Sequence, residues 1–553
     1  MWGENPPPLG GGFFDFLSLF NKIKKMKRKF LFLFFFLFLL PSLASADSYL
    51  EKRTFFVESS YDDFKREKLT ATDFFVSQHA YFYLEDDWWN ELSSKEKQKA
   101  IDGIKNLANE FDSKIYPFLT SLYGSENKPG IDKDERVTIL LHRMREEAGG
   151  YFREGDNYEK RLFPSSNERE MVYLNLLYLD QPQIKPNLAH EFTHLIIFNQ
   201  KNLILGVEEE TWLIEMIADL SPTLLGYQDH LQRRIERFRQ NPRDPLLEWK
   251  NEPPDYGSIS VFGHYLLDQF GSQVFVNILH SKEKGISAIE KATGKKFEEI
   301  FRNWLLANYL NDCRFGREYC YQQEGLKNFR VLPEIEFLPI SGESLFSLSR
   351  QIKDFSGYWQ RFYGGKGNLN FEFTGQADGN FDISYVVCDP SENCQIKFLP
   401  LDQNQRGKIE IENFDKQYLS FSLILFSKKN LNPPEGEFPN YSFSFKISFK
   451  SASSTSLASS TSSFTCSKLE RNLKYGMSGK DVRCLQEFLK SQGKEIYPEG
   501  LVTGYFGPLT FSAVKRFQQK YWQEILAPWG LTRPTGFVGP TTRTKINQIL
   551  SSY

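Results

Sequence analysis

His190-Glu191-Phe192-Thr193-His194, with Trp212-Leu213-Ile214-Glu215-Met216-Ile217-Ala218-Asp219 shortly after it, is the stretch on which the reading of this chain turns. In a helix, His190 and His194 stand one turn apart on one face. Two imidazoles can then reach a single Zn²⁺ while Glu191 stands beside the open coordination position. The flanking residues Leu188, Ala189, Phe192, Leu195, Ile196 and Ile197 are apolar, as a buried helix requires. A helix carrying two histidines for packing alone is the competing reading. The second apolar stretch, which brings Glu215, weighs against it.

A third ligand has to be a carboxylate. A three-histidine motif would need Gly at 197 and His at 200, but the chain has Ile197 and Gln200, and its next histidine is His230. Glu208, Glu209, Glu210 and Glu215 are all candidates, and the first three could equally be solvated charges near a helix N-terminus. Glu215 is preferred because it lies in an apolar stretch, where an unpaired carboxylate is costly. Asp219 follows one helical turn later, placed to accept the second ring proton of a ligand histidine.

His190-Glu191-x-x-His194 with Glu215 and Asp219 resembles the gluzincin pattern of thermolysin-like peptidases. With Gly149-Gly150-Tyr151-Phe152, the strand before the histidine helix, and Thr211-Trp212-Leu213-x-Glu215-x-x-Ala218, it is similar to the hyicolysin family of secreted bacterial metallopeptidases over about Thr54 to Asn311. The resemblance implies a zincin-like α+β domain, Zn²⁺ on His190, His194 and Glu215, and Glu191 as general base against a protein or peptide substrate. It also implies a Tyr or His donor for the oxyanion. Tyr256, in Asp255-Tyr256-Gly257 before the next helix, is the candidate, with His264 and Tyr265 behind it; a loop aromatic packed on the domain is the alternative. Met216 departs from the pattern, since many gluzincins have Gly after the ligand Glu.

Around this motif the chain alternates strand and helix signals. Ser94 to Leu122 has apolar residues at three- and four-residue spacing, predicting a helix; Arg136–His142 and Met171–Leu179 read as strands. Val261–Phe270, Gln273–Lys282 and Phe297–Leu310 predict helices. Asp132-Lys133-Asp134-Glu135 lacks the rest of an EF-hand pattern and reads as a solvated turn. Beyond about Val331 the texture becomes short alternating runs such as Asn368–Phe373 and Tyr441–Ser448, the pattern of a β-sandwich. This unit distantly resembles the prepeptidase C-terminal type. Between Ser451 and Thr465, eleven of fifteen residues are Ser or Thr, too little apolar surface to fold, so a flexible linker is expected.

The last unit repeats itself. Thr503-Gly-Tyr-Phe-Gly-Pro-Leu-Thr510 and Thr535-Gly-Phe-Val-Gly-Pro-Thr-Thr542 each make a Gly/Pro turn leading into a helix. With Gly476-x-x-Gly479-x-Asp481-Val482-x-x-Leu485-Gln486-x-x-Leu489, they resemble the three-helix peptidoglycan-binding domain of bacterial wall hydrolases, with a longer insertion between Gln519 and Gly530. That resemblance implies peptidoglycan as a partner.

Length and composition agree with an exported chain of several parts. The 553 residues suggest three or four domains, and a net charge of −2 with 25% charged residues gives no reason to expect a nucleic-acid partner. The basic Lys22–Lys29, the apolar Phe30–Leu40 and the small residues Ser42–Ala46 read as a secretory signal cleaved after Ala46. The six cysteines fall into three local pairs, Cys313/Cys320, Cys388/Cys394 and Cys466/Cys484, read as structural disulfides of an oxidising compartment. The expected organisation is 1–46 signal segment, 47–330 zinc metallopeptidase domain, 331–450 β-sandwich, 451–466 linker and 467–553 peptidoglycan-binding domain, in a secreted or wall-associated bacterial protein. Oligomeric state is not legible.

Overall fold

The computed structural model describes residues 50–338, 345–391, 393–428, 438–450, 466 and 468–551. The expected signal segment and the Ser/Thr-rich stretch 451–465 lie outside the described residues. Among the described residues, no helix is long and apolar enough to cross a membrane.

The N-terminal region is built on a six-stranded sheet of order β1-β2-β3-β4-β6-β5, formed by β1 (Lys52–Phe56), β2 (Lys68–Val76), β3 (Ala80–Glu85), β4 (Val137–His142), β5 (Gly150–Phe152) and β6 (Met171–Asn175). Strand β4 runs parallel to β3 and β6, and the edge strand β5 is antiparallel to β6. Every residue of β4 is buried because both faces are covered. Ile139 and Leu141 join the helical core, while Leu140 joins a second cluster with Phe55, Tyr81 and Tyr173.

Three sequence expectations are adjusted here. The helix expected over Ser94 to Leu122 starts at the Ser93/Glu96 capping box but passes through a π-helical turn, Phe111–Ile115, before Tyr116–Tyr123. The strand expected over Met171–Leu179 ends at Asn175. That side chain accepts from Leu177 N and donates to the carbonyls of Arg145 and Ala148, turning the chain into a 3₁₀ turn. The helix expected to follow Tyr256 begins earlier, as Pro253–Phe270, because Pro253 supplies a pre-set first turn and Asp255 accepts the N–H groups of Lys250 and Glu252. Tyr256 is therefore helical, not in a loop.

The second region consists of β7 (Glu334–Leu338), β8 (Leu345–Lys353), β9 (Tyr358–Gly364), β10 (Asn368–Gly375), β11 (Phe381–Cys388), β12 (Cys394–Phe398), β13 (Arg406–Ile411), β14 (Ser420–Ser427) and β15 (Asn440–Lys450). They form two sheets, β13-β10-β15-β8 and β12-β11-β14-β9-β7, which enclose an aromatic-rich core including Phe362, Phe371, Phe421 and Phe445. Strand β14 is buried throughout: Phe421, Leu423 and Leu425 face that core, while Ile424 and Phe426 face the helices of the first region. The Phe297–Leu310 helix completes this contact. Trp359 Nε1 donates to Leu305 O at 3.0 Å, and Arg302 forms a paired contact with Asp382 at 2.8 and 2.7 Å.

The C-terminal region packs the Lys480–Ser491, Pro508–Lys520 and Pro540–Leu550 helices around Leu485, Phe506, Phe517, Val538 and Ile546. All three cysteine pairs are disulfides: Cys313–Cys320, Cys388–Cys394 and Cys466–Cys484.

Candidate metal centre

The histidine helix, Ile184–Ile197, packs Leu188, Ala189, Phe192 and Ile196 into the helical core. Burying that stripe points the opposite turn, with His190 and His194, toward the Thr211–Leu224 helix. The two Nε2 atoms lie 3.0 Å apart. Glu215, from the second helix, brings Oε2 to 3.3 Å from His190 Nε2 and 3.7 Å from His194 Nε2. Among the described residues, His190, Glu191 and His194 form a group whose ligand-type atoms all fall within 4.8 Å.

The remaining candidate carboxylates are elsewhere. Glu209 is fully buried in an ion pair with Lys201 at 2.8 Å, Glu210 accepts from Trp212 Nε1 at 2.6 Å, and Glu208 is exposed. Of the four glutamates, the fold brings only Glu215 to the histidines.

The edge strand β5 closes the site from the sheet side. A Cβ on Gly150 would lie 2.6 Å from Tyr173 O and 2.8 Å from Glu191 Cγ, so only glycine lets the Glu191 side chain lie against this strand. Burial pushes the Glu191 carboxyl up to about 8, His190 opposing the shift and Glu215 adding to it. Burial lowers His194 to about 4. For His190, burial pulls downward, but the contact with Glu215 and the charges of Glu191, Glu215 and Asp219 outweigh it. Burial would raise Glu215, yet the imidazoles hold it low.

These residues fit a resident cation. The donor set is two imidazole nitrogens and a carboxylate, the chemistry Zn²⁺ takes in open sites, and Glu215 Oε2 is buried with no aligned hydrogen-bond donor.

The expected bond from Asp219 to a ligand histidine is absent. Asp219 Oδ1 meets His230 Nε2 at 2.8 Å and Arg234 Nε at 2.7 Å, while Asp219 Oδ2 and His190 Nδ1 are both buried without a hydrogen-bond partner. His230 and Arg234 lie on the Gln228–Gln240 helix, which packs beside the Glu215 helix and takes up Asp219 Oδ1. Asp219 still acts on His190 through its charge. Tyr256 lies at the rim, its hydroxyl donating to Asn251 Oδ1 at 2.9 Å, with the Arg234 guanidinium over its ring at 4.6 Å. His264 and Tyr265 are core residues instead. His264 is fully buried against Ser260 O, and Tyr265 donates to Glu318 O.

A cavity of about 250 Å³ opens over the group, lined by Tyr61, Gly150, Phe152, Glu191, Ile214 and Tyr256 among others. Larger depressions of about 480 and 600 Å³ lie on the second region, but neither is lined by a histidine. Tyr61 is the site residue that sequence reasoning missed. It stacks on Tyr151 at 4.9 Å and lines the same cavity as Tyr256. Nothing at residue 61 signals this in sequence.

Residues 478–546 match the family model described as "Putative peptidoglycan binding domain". A stretch of 255 residues is 28% identical to the neutral metalloprotease ShpI of Staphylococcus hyicus, covering 41% of this chain and 56% of that protein. The chain thus spans little more than half the length of this relative. Among solved structures, the pre-peptidase C-terminal domain of a Bacillus anthracis collagenase is similar over 21% of this chain and 94% of its own, at 7% identity and a TM-score of 0.15. PliG of Aeromonas hydrophila, a periplasmic inhibitor of g-type lysozyme, covers 21% and 98% at 9% identity and a TM-score of 0.15. Scores this low say nothing about fold. One chain therefore joins a stretch similar to a neutral metalloprotease with a stretch that matches the putative peptidoglycan-binding family model.

Proposed function

We propose that the chain is a secreted, wall-associated zinc endopeptidase of the hyicolysin-like gluzincin type. Its zincin-like domain is residues 47–330, a β-sandwich spans 331–450, and a Ser/Thr-rich linker, 451–466, tethers a peptidoglycan-binding module, 467–553. The observation that carries this reading is the convergence of His190 Nε2, His194 Nε2 and Glu215 Oε2 within 3.0 to 3.7 Å of one another, with Glu191 alongside in a cavity.

His190, His194 and Glu215 hold the metal. The chemistry Zn²⁺ supplies there when bound is Lewis acidity toward water and the substrate carbonyl. Glu191, as carboxylate, takes the proton from the attacking water and delivers it to the leaving amine. Tyr256 donates its hydroxyl to the oxyanion, giving up its bond to Asn251 Oδ1 to do so. The edge strand β5 offers its unpaired backbone groups to an extended substrate, aligning the scissile bond with Glu191.

The test is zinc content with casein hydrolysis, wild type against Glu191→Gln. One zinc in both and activity in wild type alone is the expected result; hydrolysis by Glu191→Gln overturns Glu191 as base. The module at 478–546 favours a second reading, in which the same site cuts stem peptides of the wall. Activity on purified sacculi but not on casein would select it. A catalytically silent wall-binding protein is the remaining reading, and zinc content near zero would select that.

A further inference from the structure

The two repeated turns of the C-terminal region are alike down to single hydrogen bonds. In the first, Gln486 Nε2 donates to Thr503 Oγ1, Tyr505 O and Thr510 Oγ1 at 3.1, 2.8 and 2.9 Å, and Gln486 Oε1 accepts from Gly504 N at 2.6 Å. In the second, Gln518 Nε2 donates to Thr535 Oγ1, Phe537 O and Thr542 Oγ1 at 3.2, 2.8 and 3.1 Å, and Gln518 Oε1 accepts from Gly536 N at 2.9 Å. Gly504 and Gly536 have matching φ of 76° and 71°, in the left-handed region glycine tolerates. Tyr505 and Phe537 are thus the same position of one repeated unit, an aromatic ring at the tip of a rigid turn.

Their surroundings differ. Tyr505 is 7% exposed, stacked on Tyr363 of β9 at 4.7 Å and 12°, with Phe337 6.2 Å away and Leu419 packed over Gly504. Phe537 is 40% exposed. Beside it, Phe511 packs on Gly536 and meets Tyr475 at 5.9 Å, and Tyr475 is 52% exposed.

We propose that the Phe537 turn, with Tyr475 and Phe511, is the face by which this chain stacks on the glycan strand of the wall, the equivalent Tyr505 turn being taken up by the sandwich. This rests on the wall-binding reading above. The first turn shows what the tip does when partnered: its ring lies flat on another ring. Of the two components of peptidoglycan, the glycan is the chain of rings, and the C–H faces of its N-acetylated pyranoses suit an aromatic platform better than charged, flexible stem peptides do.

The test measures binding of the full chain to purified sacculi and to soluble oligomers of N-acetylglucosamine. Phe537→Ala and Tyr475→Ala are each expected to weaken both roughly tenfold, with thermal midpoints unchanged because the rings are exposed. Tyr363→Ala, which uncovers the first turn, is expected to keep or raise sacculus affinity. Unchanged sacculus affinity in the Phe537→Ala/Tyr475→Ala double variant overturns the assignment. So does competition by stem peptide but not by the oligomer, or loss confined to Tyr363→Ala. Self-association of wild type that Phe537→Ala abolishes would show that a second copy occupies the face, which also overturns it. Failure of wild type to bind sacculi at all overturns the wall-binding reading and this assignment with it.

Discussion

Tyr61 and Tyr256 both line the cavity, one from the segment after β1 and the other from the first turn of the Pro253–Phe270 helix, where Tyr256 bonds Asn251. Asn251 holds a φ of 60°, in the left-handed region that asparagine tolerates better than most side-chain-bearing residues, and accepts the Tyr256 hydroxyl there. Tyr61 is firmly mounted: it stacks on Tyr151, whose hydroxyl accepts from Glu58 N and contacts His142 Nε2. A phenol on a rigid mount is suited to donate to developing negative charge. Tyr61→Phe is therefore expected to lower kcat by roughly 10- to 100-fold with little change in KM and full zinc content. A rise in KM with kcat unchanged would assign Tyr61 to ground-state binding instead.

At the scale of elements, the histidine helix is anchored at its start by Glu110, at the end of the Ser94–Glu110 helix. Lys185 Nζ and Tyr227 OH each donate to this carboxylate at 2.7 Å. Burial opposes ionisation, but Lys185, Tyr227 and Lys114 overcome it and hold Glu110 at about 2, below its ordinary 4.5. The unfolded chain therefore binds a proton here at higher pH than the folded one. The stabilisation is complete above about pH 4.5 and is lost as pH falls toward 2. Glu110→Gln is expected to cost about 1–2 kcal/mol at pH 7, after allowance for solvent screening, and to flatten the acid limb relative to wild type. Equilibrium unfolding of both proteins between pH 7 and 2 measures this, since proton effects at His190, His194 and Glu215 are common to both. Parallel acid limbs would remove Glu110 from the account.

At the scale of the molecule, the first two regions share a core. Phe301 packs on Phe426 at 4.8 Å, Phe355 and Trp359 fill the same seam, and Tyr309 OH bonds Ser422 Oγ at 2.6 Å. An interface this apolar resembles a domain core more than a transient contact. Both regions are expected to unfold in one calorimetric transition, and Trp359→Ala to lower its midpoint by several degrees at a cost of about 3–5 kcal/mol. Two transitions, with only the second moved by Trp359→Ala, would show that the regions fold independently.

By itself the sequence determined whatever depends on short spacing. Two histidines four residues apart share a helix face by backbone geometry alone, the three cysteine pairs are close along the chain, and the repeated Gly/Pro turns are visible as strings. The match at 478–546 falls where those turns lie. The run Ser420–Ser427 shows in part why more was not legible: an alternating exterior was expected of the sandwich, but β14 is buried on both faces because a helix from another region covers it. Glu215 was already preferred in the sequence for its apolar setting, and packing brings it, rather than Glu208, Glu209 or Glu210, beside the imidazoles. Only the tertiary structure drew Asp219 to His230 and Arg234, brought Tyr61 to the rim, and left one aromatic tip exposed while covering its twin. Each of these turns on a distance between residues far apart in the chain, set by how helices and sheets pack, and no local pattern encodes such a distance.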